Sequence, residues 1–267
     1  MDFSLLMSIY YKEKGVYLEE CFKSLLLSTI KPTEIILVKD GELTVELDNI
    51  IDNYKSQLPL KIVFLEQNVG LGEALKIGLE ACSYNLVARF DTDDINDPQR
   101  FSKQLEYFKK DEEIVLVGSQ IQEFDSSGIL KSRKVPISNE EIKLYAPKRN
   151  PFNHMTVMFK KDVIERVGNY KRLEGFEDYY LWLRVLNENY KTANIDEVLV
   201  NARAGSEMLE RRGGIKYAKY VYQAFTTFSK EGLITKKEAK SRMYSQIIFS
   251  LLPKFIRKII YQKILRG

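Results

Sequence analysis

The chain has 267 residues, a formal net charge of +4, 45% hydrophobic and 29% charged residues. Such a chain builds one large α/β domain or two small ones, and its composition excludes disordered or fibrous proteins. Cys21 and Cys82 lie in apolar stretches without metal-ligand spacing, which makes them small core residues and excludes a disulfide scaffold. No apolar run approaches the roughly 20 residues of a membrane span. The opening MDFSLLMSIYYKEKG lacks the basic start and long apolar core of a secretory signal. The expectation is a protein on the cytoplasmic side that can meet a membrane only at its surface.

Strand and helix patterns alternate through the first half. Phe3–Tyr10 is an apolar run of strand length, and Leu18, Cys21, Phe22, Leu25 and Leu26 give Val16–Ser28 a helical period. Glu34–Val38 is a second strand, ending at Lys39-Asp40-Gly41. Val45–Leu58 is helical, Lys61–Leu65 is a third strand, and Asn68–Gly72 opens a helix that runs through Ala81. Leu86–Phe90 is a fourth strand, ending at Asp91. This order predicts a mostly parallel sheet covered on both faces, with ligands bound beyond the carboxyl ends of its strands. Asp40 and Asp91 both fall at such ends.

Beyond a helix near Pro98–Lys110 the pattern changes. Ile114–Gln122 and Ile129–Val135 flank Asp125-Ser126-Ser127-Gly128, a turn signal that predicts a hairpin. Met155–Phe159 reads as a strand before a short helix at Lys161–Val167. Glu177–Asn189 reads as a helix, and Val198–Ala202 as a strand.

Few residues offer chemistry. Asp91-Thr92-Asp93-Asp94 sets three carboxylates within four positions, and they repel one another unless a cation or donors neutralise them. Oxygen ligands of this kind suit Mg²⁺ or Mn²⁺ held together with substrate phosphates; the alternative is an acidic turn capping the next helix. Asp40 is either a carboxylate for a base or ribose or part of an ordinary Asp-Gly turn. Glu177 and Asp178 open a helix, where acids commonly meet the dipole, but a hydroxyl nucleophile needs a general base and other candidates are scarce. His154, the only histidine, is a core residue or a contact to phosphate or metal. Arg203, Arg211 and Arg212, with Gly205, Gly213 and Gly214, form either a solvated loop or one that closes over a diphosphate.

In order, YYKE, VKDG, NVGLGEALKIGL, ARFDTDD, NPFNHMTVMFKKDVIERVGNY and FEDYYLWLR resemble the family 2 inverting glycosyltransferases over roughly residues 1–205. The resemblance implies the GT-A fold, a Rossmann-like, mostly parallel sheet flanked by helices, over 1–205. Residues 206–267 would then form a flexible loop and a helical C-terminal extension. It implies Asp40 at the nucleotide base or ribose, and Asp91 and Asp93 on the nucleotide-sugar. Asp93 and Asp94 would lie at a Mn²⁺ or Mg²⁺ ion, and Asp178 would be the base with Glu177 beside it. From the residues themselves, His154 is a further candidate at that ion, and Arg203, Arg211 and Arg212 are candidates to meet the donor. Lys39 departs from the pattern, standing where many relatives carry another acid. The implied activity moves one sugar from a nucleotide-sugar, UDP-linked by expectation, to a hydroxyl of a saccharide or lipid-linked saccharide. The Q-x-x-R-W run of processive synthases is absent. A sugar-phosphate nucleotidyltransferase is the rival enzyme, but SIYYKEKG replaces its glycine-rich phosphate loop; a non-catalytic, membrane-docked binding module is the third reading.

The C-terminus adds a partner. From residue 236 onward nine Lys or Arg face one acid, Glu238, so the tail carries +8 of a total of +4 and the body is left at −4. This argues against nucleic acid as partner of the main domain and for a local anionic surface. Ile247, Ile248, Leu251, Leu252, Phe255, Ile256, Ile259, Ile260 and Ile264 form a stripe among the cations, with a start or kink at Pro253. A basic amphipathic helix lies on an anionic membrane; alternatively the same stripe packs on the domain.

Overall fold

The computed structural model describes residues 1–126, 128–204 and 212–260. Its sheet runs β3 (Leu60–Leu65), β2 (Glu34–Asp40), β1 (Ser4–Ile9), β4 (Leu86–Arg89), β8 (Met158–Lys160), β6 (Ile114–Asp125), β9 (Lys191–Arg203), β5 (Ile95–Asn96), and β7 (Gly128–Arg133) pairs with β6. Strands β1 to β4 pair in parallel. The second half is mixed: β8 runs antiparallel to β4 and β6, whereas β9 runs parallel to β6. Parallel pairing places the carboxyl ends of β1, β2 and β4 on one edge, and the loops that follow them meet there.

Period-two alternation separates two cores. Phe3 and, in β1, Leu5, Met7 and Ile9, with Ile35 and Leu37 of β2, bury against α1 (Gly15–Leu26), α2 (Val45–Tyr54) and α4 (Arg100–Lys110). Leu6, Ile36 and Val38 point the other way, toward α3 (Leu71–Ala81) and α7 (Glu177–Asn187). Successive strand side chains take opposite faces, so one strand serves both layers.

The predicted hairpin forms, with Asp125 opposite Gly128 and Ile121 opposite Arg133. Strand β9 is longer than Val198–Ala202. Its register against β6 steps from Ile195 opposite Ser119 to Val198 opposite Gln120, and this irregularity breaks the alternation that a sequence pattern needs. The short helices α5 (Asn139–Tyr145) and α6 (Lys161–Arg166) lie between these strands; Ser138 closes a capping box with Glu141 at the start of α5.

The C-terminal helices are α8 (Gly214–Lys230), α9 (Lys236–Leu251) and α10 (Lys254–Ile260). Val221, Ala224, Phe225 and Phe228 recur at helical spacing and join the α7 core, where Phe228 lies edge-on to Tyr179 and Phe225 is edge-on to Phe176. The tail stripe divides. Ile247 packs against this core, while Ile248 and Phe255 stand 63% and 65% exposed. Pro253 separates α9 from α10, as expected of a residue that breaks a helix. Among the described residues no helix is long and apolar enough to cross a membrane.

Candidate active site

The acid cluster follows β4. Asp91, Asp93 and Asp94 bring one carboxylate oxygen each within 4.8 Å of one another. Asp91 pairs with the buried guanidinium of Arg89. Oδ1 of Asp94 accepts from the Arg203 backbone N–H at 2.7 Å, and Oδ2 is buried without a partner. Arg203 also donates through Nε to the Asp93 carbonyl at 2.9 Å, pairs with Glu20 of α1, and lies between the rings of Tyr17 and Phe124. The end of β9 is thereby strapped to the cluster. Thr92 donates to Glu13 at 2.7 Å, which ties the loop after β1 to the same place.

These acids are crowded. Burial, then the charges of Asp91 and Glu13, push Asp93 up to about 7. Burial, then Asp93 and Asp91, push Asp94 well above the usual carboxylate range. Three hard oxygen donors, mutual repulsion and an orphaned Asp94 oxygen fit Mg²⁺ or Mn²⁺.

Asp40 ends β2 with its carboxylate turned onto the following loop. It accepts from Val69 N–H at 2.7 Å, Gly70 N–H at 3.1 Å and Asn68 Nδ2 at 3.0 Å, and is 3% exposed. Both oxygens thereby shape residues 68–70, and the carboxylate anchors this loop. Gly41, at φ 88°, makes the close approach possible, since a Cβ there would sit 3.0 Å from the Asn68 nitrogen. Lys39 turns away to pair with Asp48 at 2.5 Å. The loop delivers α3 to the start of α7: a Cβ on Gly72 would lie 2.7 Å from Cγ of Glu177.

Asp178 sits in the first turn of α7. Asn150 Nδ2 donates to its Oδ2 at 2.7 Å, and Arg133 donates to the Asn150 carbonyl at 3.4 Å. Burial raises its pKa, and the Asn150 bond and the charges of Arg133 and Arg89 restrain the rise. Burial, with the Asp178 charge adding, pushes Glu177 up to about 7. Arg89 joins the two acid groups. It pairs with Asp91, its charge acts on Asp178, and its Nε and Nη1 are buried without a protein partner. Tyr170, between them, feels Arg89, Asp178 and Asp91.

Of the residues expected from sequence, Asp91, Asp93, Asp94 and Arg203 lie together, Asp178 shares the Arg89 charge with them, and Glu177 stands beside Asp178. His154 does not join the carboxylates: its Nε2 lies 3.0 Å from the Tyr170 hydroxyl and its ring faces Trp182. Burial and then the Arg89 charge push its pKa well below the ordinary value, although the residue as a whole is half-buried. Arg212 is exposed at the turn before α8. Arg211 and Gly205 lie outside the described residues. Sequence reasoning missed Arg89 and Asn150. A cation inside a buried strand was the available signal for Arg89, and Asn150 opens the quoted NPFNHM segment without any mark of its bond to Asp178.

The family model for Glycosyl transferase family 2 matches residues 4–168. The chain is 40% identical over 270 residues to the amylovoran biosynthesis glycosyltransferase AmsE of Erwinia amylovora, covering 99% of this chain and 100% of that protein. It is also 40% identical over 268 residues to the UDP-Gal:alpha-D-GlcNAc-diphosphoundecaprenol beta-1,3-galactosyltransferase of Escherichia coli, covering 99% and 96%. Among solved structures, S. aureus TarS 1-349 in complex with UDP-GlcNAc aligns with TM-score 0.66 at 17% identity, over 98% of this chain and 75% of that one. The mannosyltransferase PcManGT of Pyrobaculum calidifontis, in complex with GDP-Man and Mn2+, gives 0.66 at 14%, over 92% and 68%. The two structures support the fold, and the nucleotidyltransferase alternative is set aside by relatives that match end to end. The chain is a glycosyltransferase of GT-A fold and belongs to glycosyl transferase family 2.

Proposed function

We propose that the chain is a metal-dependent, inverting transferase that moves one sugar from a UDP-sugar to a hydroxyl of a saccharide carried on a lipid diphosphate. The observation that carries this reading is the shared cleft, in which Arg89 pairs with Asp91 and acts on Asp178. The acceptor oxygen attacks the anomeric carbon, Asp178 takes the hydroxyl proton, and the sugar–phosphate bond breaks to release UDP, so one displacement inverts the centre. Asp93 and Asp94 would hold the Mn²⁺ or Mg²⁺ ion, and such an ion supplies positive charge to the leaving diphosphate. Asp91 and Arg203 shape the donor side, and Asp40 fixes the loop that lines it. The UDP donor and lipid-linked acceptor are supported by the name of the E. coli relative and by the UDP-GlcNAc complex of TarS. Calorimetry with UDP tests the donor half. Binding should tighten at least tenfold with Mn²⁺; affinity indifferent to metal would overturn the metal role.

A lipid-linked acceptor fits a second feature. Ile215, Ile248, Leu251 and Phe255 are 70%, 63%, 54% and 65% exposed. Lys219 lines a hollow with Ile215, Tyr222 and Leu251. Apolar side chains ringed by cations suit an anionic membrane surface, where the acceptor's lipid resides. Vesicles containing anionic lipid should co-sediment the protein at low salt and release it at high salt, and Leu251→Glu with Phe255→Glu should abolish binding. Binding unchanged by that double substitution defeats this docking face.

A further inference from the structure

Beyond Asp178 the cleft wall is basic. Arg133 ends β7, half-buried, and holds the Asn150 carbonyl at 3.4 Å. Arg149 is the neighbouring residue, also half-buried, and Arg212 stands at the entry to α8. Among the described residues none of the three arginines has an ion pair with a carboxylate. They crowd one another: burial, then the charges of Arg149 and Arg212, lower the pKa of Arg133. Tyr217, stacked on Phe176 immediately before the Glu177-Asp178 pair, feels both Arg212 and Asp178. Half-buried like charges without a counter-ion are unfavourable unless an anion completes the site, and guanidinium forks match phosphate oxygens.

The donor's diphosphate does not account for this group. Its place in the reading above is at the acid cluster, where Asp93 and Asp94 would hold a divalent ion and where Arg89 lies. Asp178 stands between two cations, Arg89, already paired with Asp91, and Arg133, which has no acid. A single residue, Asn150, links the two: its side chain donates to Asp178 and its carbonyl accepts from Arg133, so a guanidinium stands one residue away from the base.

We propose that Arg133, Arg149 and Arg212 form the seat for the acceptor's diphosphate, which places the sugar joined directly to it against Asp178. The inference rests on the transferase reading above. It makes the product of a sugar-phosphate transfer onto a lipid phosphate the substrate, and the second sugar of the chain the one added here.

The test compares two synthetic acceptors carrying the same N-acetylglucosamine, one joined to an alkyl chain through a diphosphate and one as a plain alkyl glycoside. The wild-type protein, saturated with UDP and Mn²⁺, should bind the diphosphate acceptor in calorimetry at least tenfold more tightly than the glycoside. Arg133→Ala and Arg149→Ala should each erase most of that preference, through KM more than kcat in transfer assays, and Arg133→Lys should restore part of it. Arg166→Ala, a surface control paired with Asp162, should keep the preference. Equal wild-type affinity for both acceptors, or an undiminished preference in the Arg133 and Arg149 variants, overturns the seat. Failure of wild-type protein to bind UDP would strike the transferase reading instead, so the two failures are distinguishable. Melting temperature and UDP affinity of each variant report whether it is folded.

Discussion

Two groups of acids, both within reach of the Arg89 charge, are built differently. Asp91, Asp93 and Asp94 crowd at the end of a parallel strand, with Arg89 on one and an orphaned oxygen on another. Asp178 receives hydrogen bonds from the Tyr179 backbone N–H and from Asn150 and feels the charges of Arg133 and Arg89. The first group carries more negative charge than its surroundings balance, which suits a divalent cation. The second is a carboxylate steadied by two neutral donors, which suits taking a proton. Residue type is the same in both; the surroundings assign the task.

The sharpest way to break this comparison is Asp178→Asn. Transfer should fall by about 10²–10⁴-fold, as for loss of a general base, while UDP affinity in the presence of Mn²⁺ stays within a factor of about three in calorimetry. Comparable loss in both would merge the two acid groups into one binding site. Next in size is Asp94→Asn. Mn²⁺ with UDP at about 100 times Kd stabilises a protein by about 2.7 kcal/mol, and most of that rise in melting temperature should vanish in the variant. The metal-free wild type should also respond to pH. Asp93 is pushed up to about 7 in the fold from 3.8, so its folded form holds a proton more tightly than the unfolded chain does. That stabilisation is full below the unfolded value and is lost as pH rises through about 7. Metal-free melting temperature should therefore decline across neutral pH, and Mn²⁺ with UDP should flatten the decline; a flat metal-free profile argues against crowding. Asn150→Ala is the mildest change. Without its bond the Asp178 carboxylate loses a donor that favours its charged form, so the acid limb of the kcat/KM profile should move to higher pH, with little change on the alkaline side.

How much of this was legible varies by element. Strands β1 to β4 and helices α1 to α3 follow from apolar spacing, because each buries a regular face on a regular sheet. Strand β9 was half visible, since its register against β6 slips at Asp196-Glu197 and turns polar residues into the middle of a strand. Helix α8 was not assigned, although Val221, Ala224, Phe225 and Phe228 carry the right spacing. Asp40 was legible at the end of its strand but its bonds to the loop were not, because a carboxylate beside Gly41 does not show in sequence that it accepts from Asn68–Gly70.

The amino-acid sequence by itself set the α/β order, the carboxylates at strand ends, the acid pair opening α7 and the basic apolar tail, because these depend on spacing along one segment. Tertiary structure alone decided which groups meet. Arg89 joins Asp91 to Asp178 only because β4 and α7 pack on one layer, and Arg133 reaches Asp178 only through Asn150. His154 meets Tyr170 and Trp182 for the same reason. Burial and pairing are sums over residues far apart in the chain, and no local pattern encodes them.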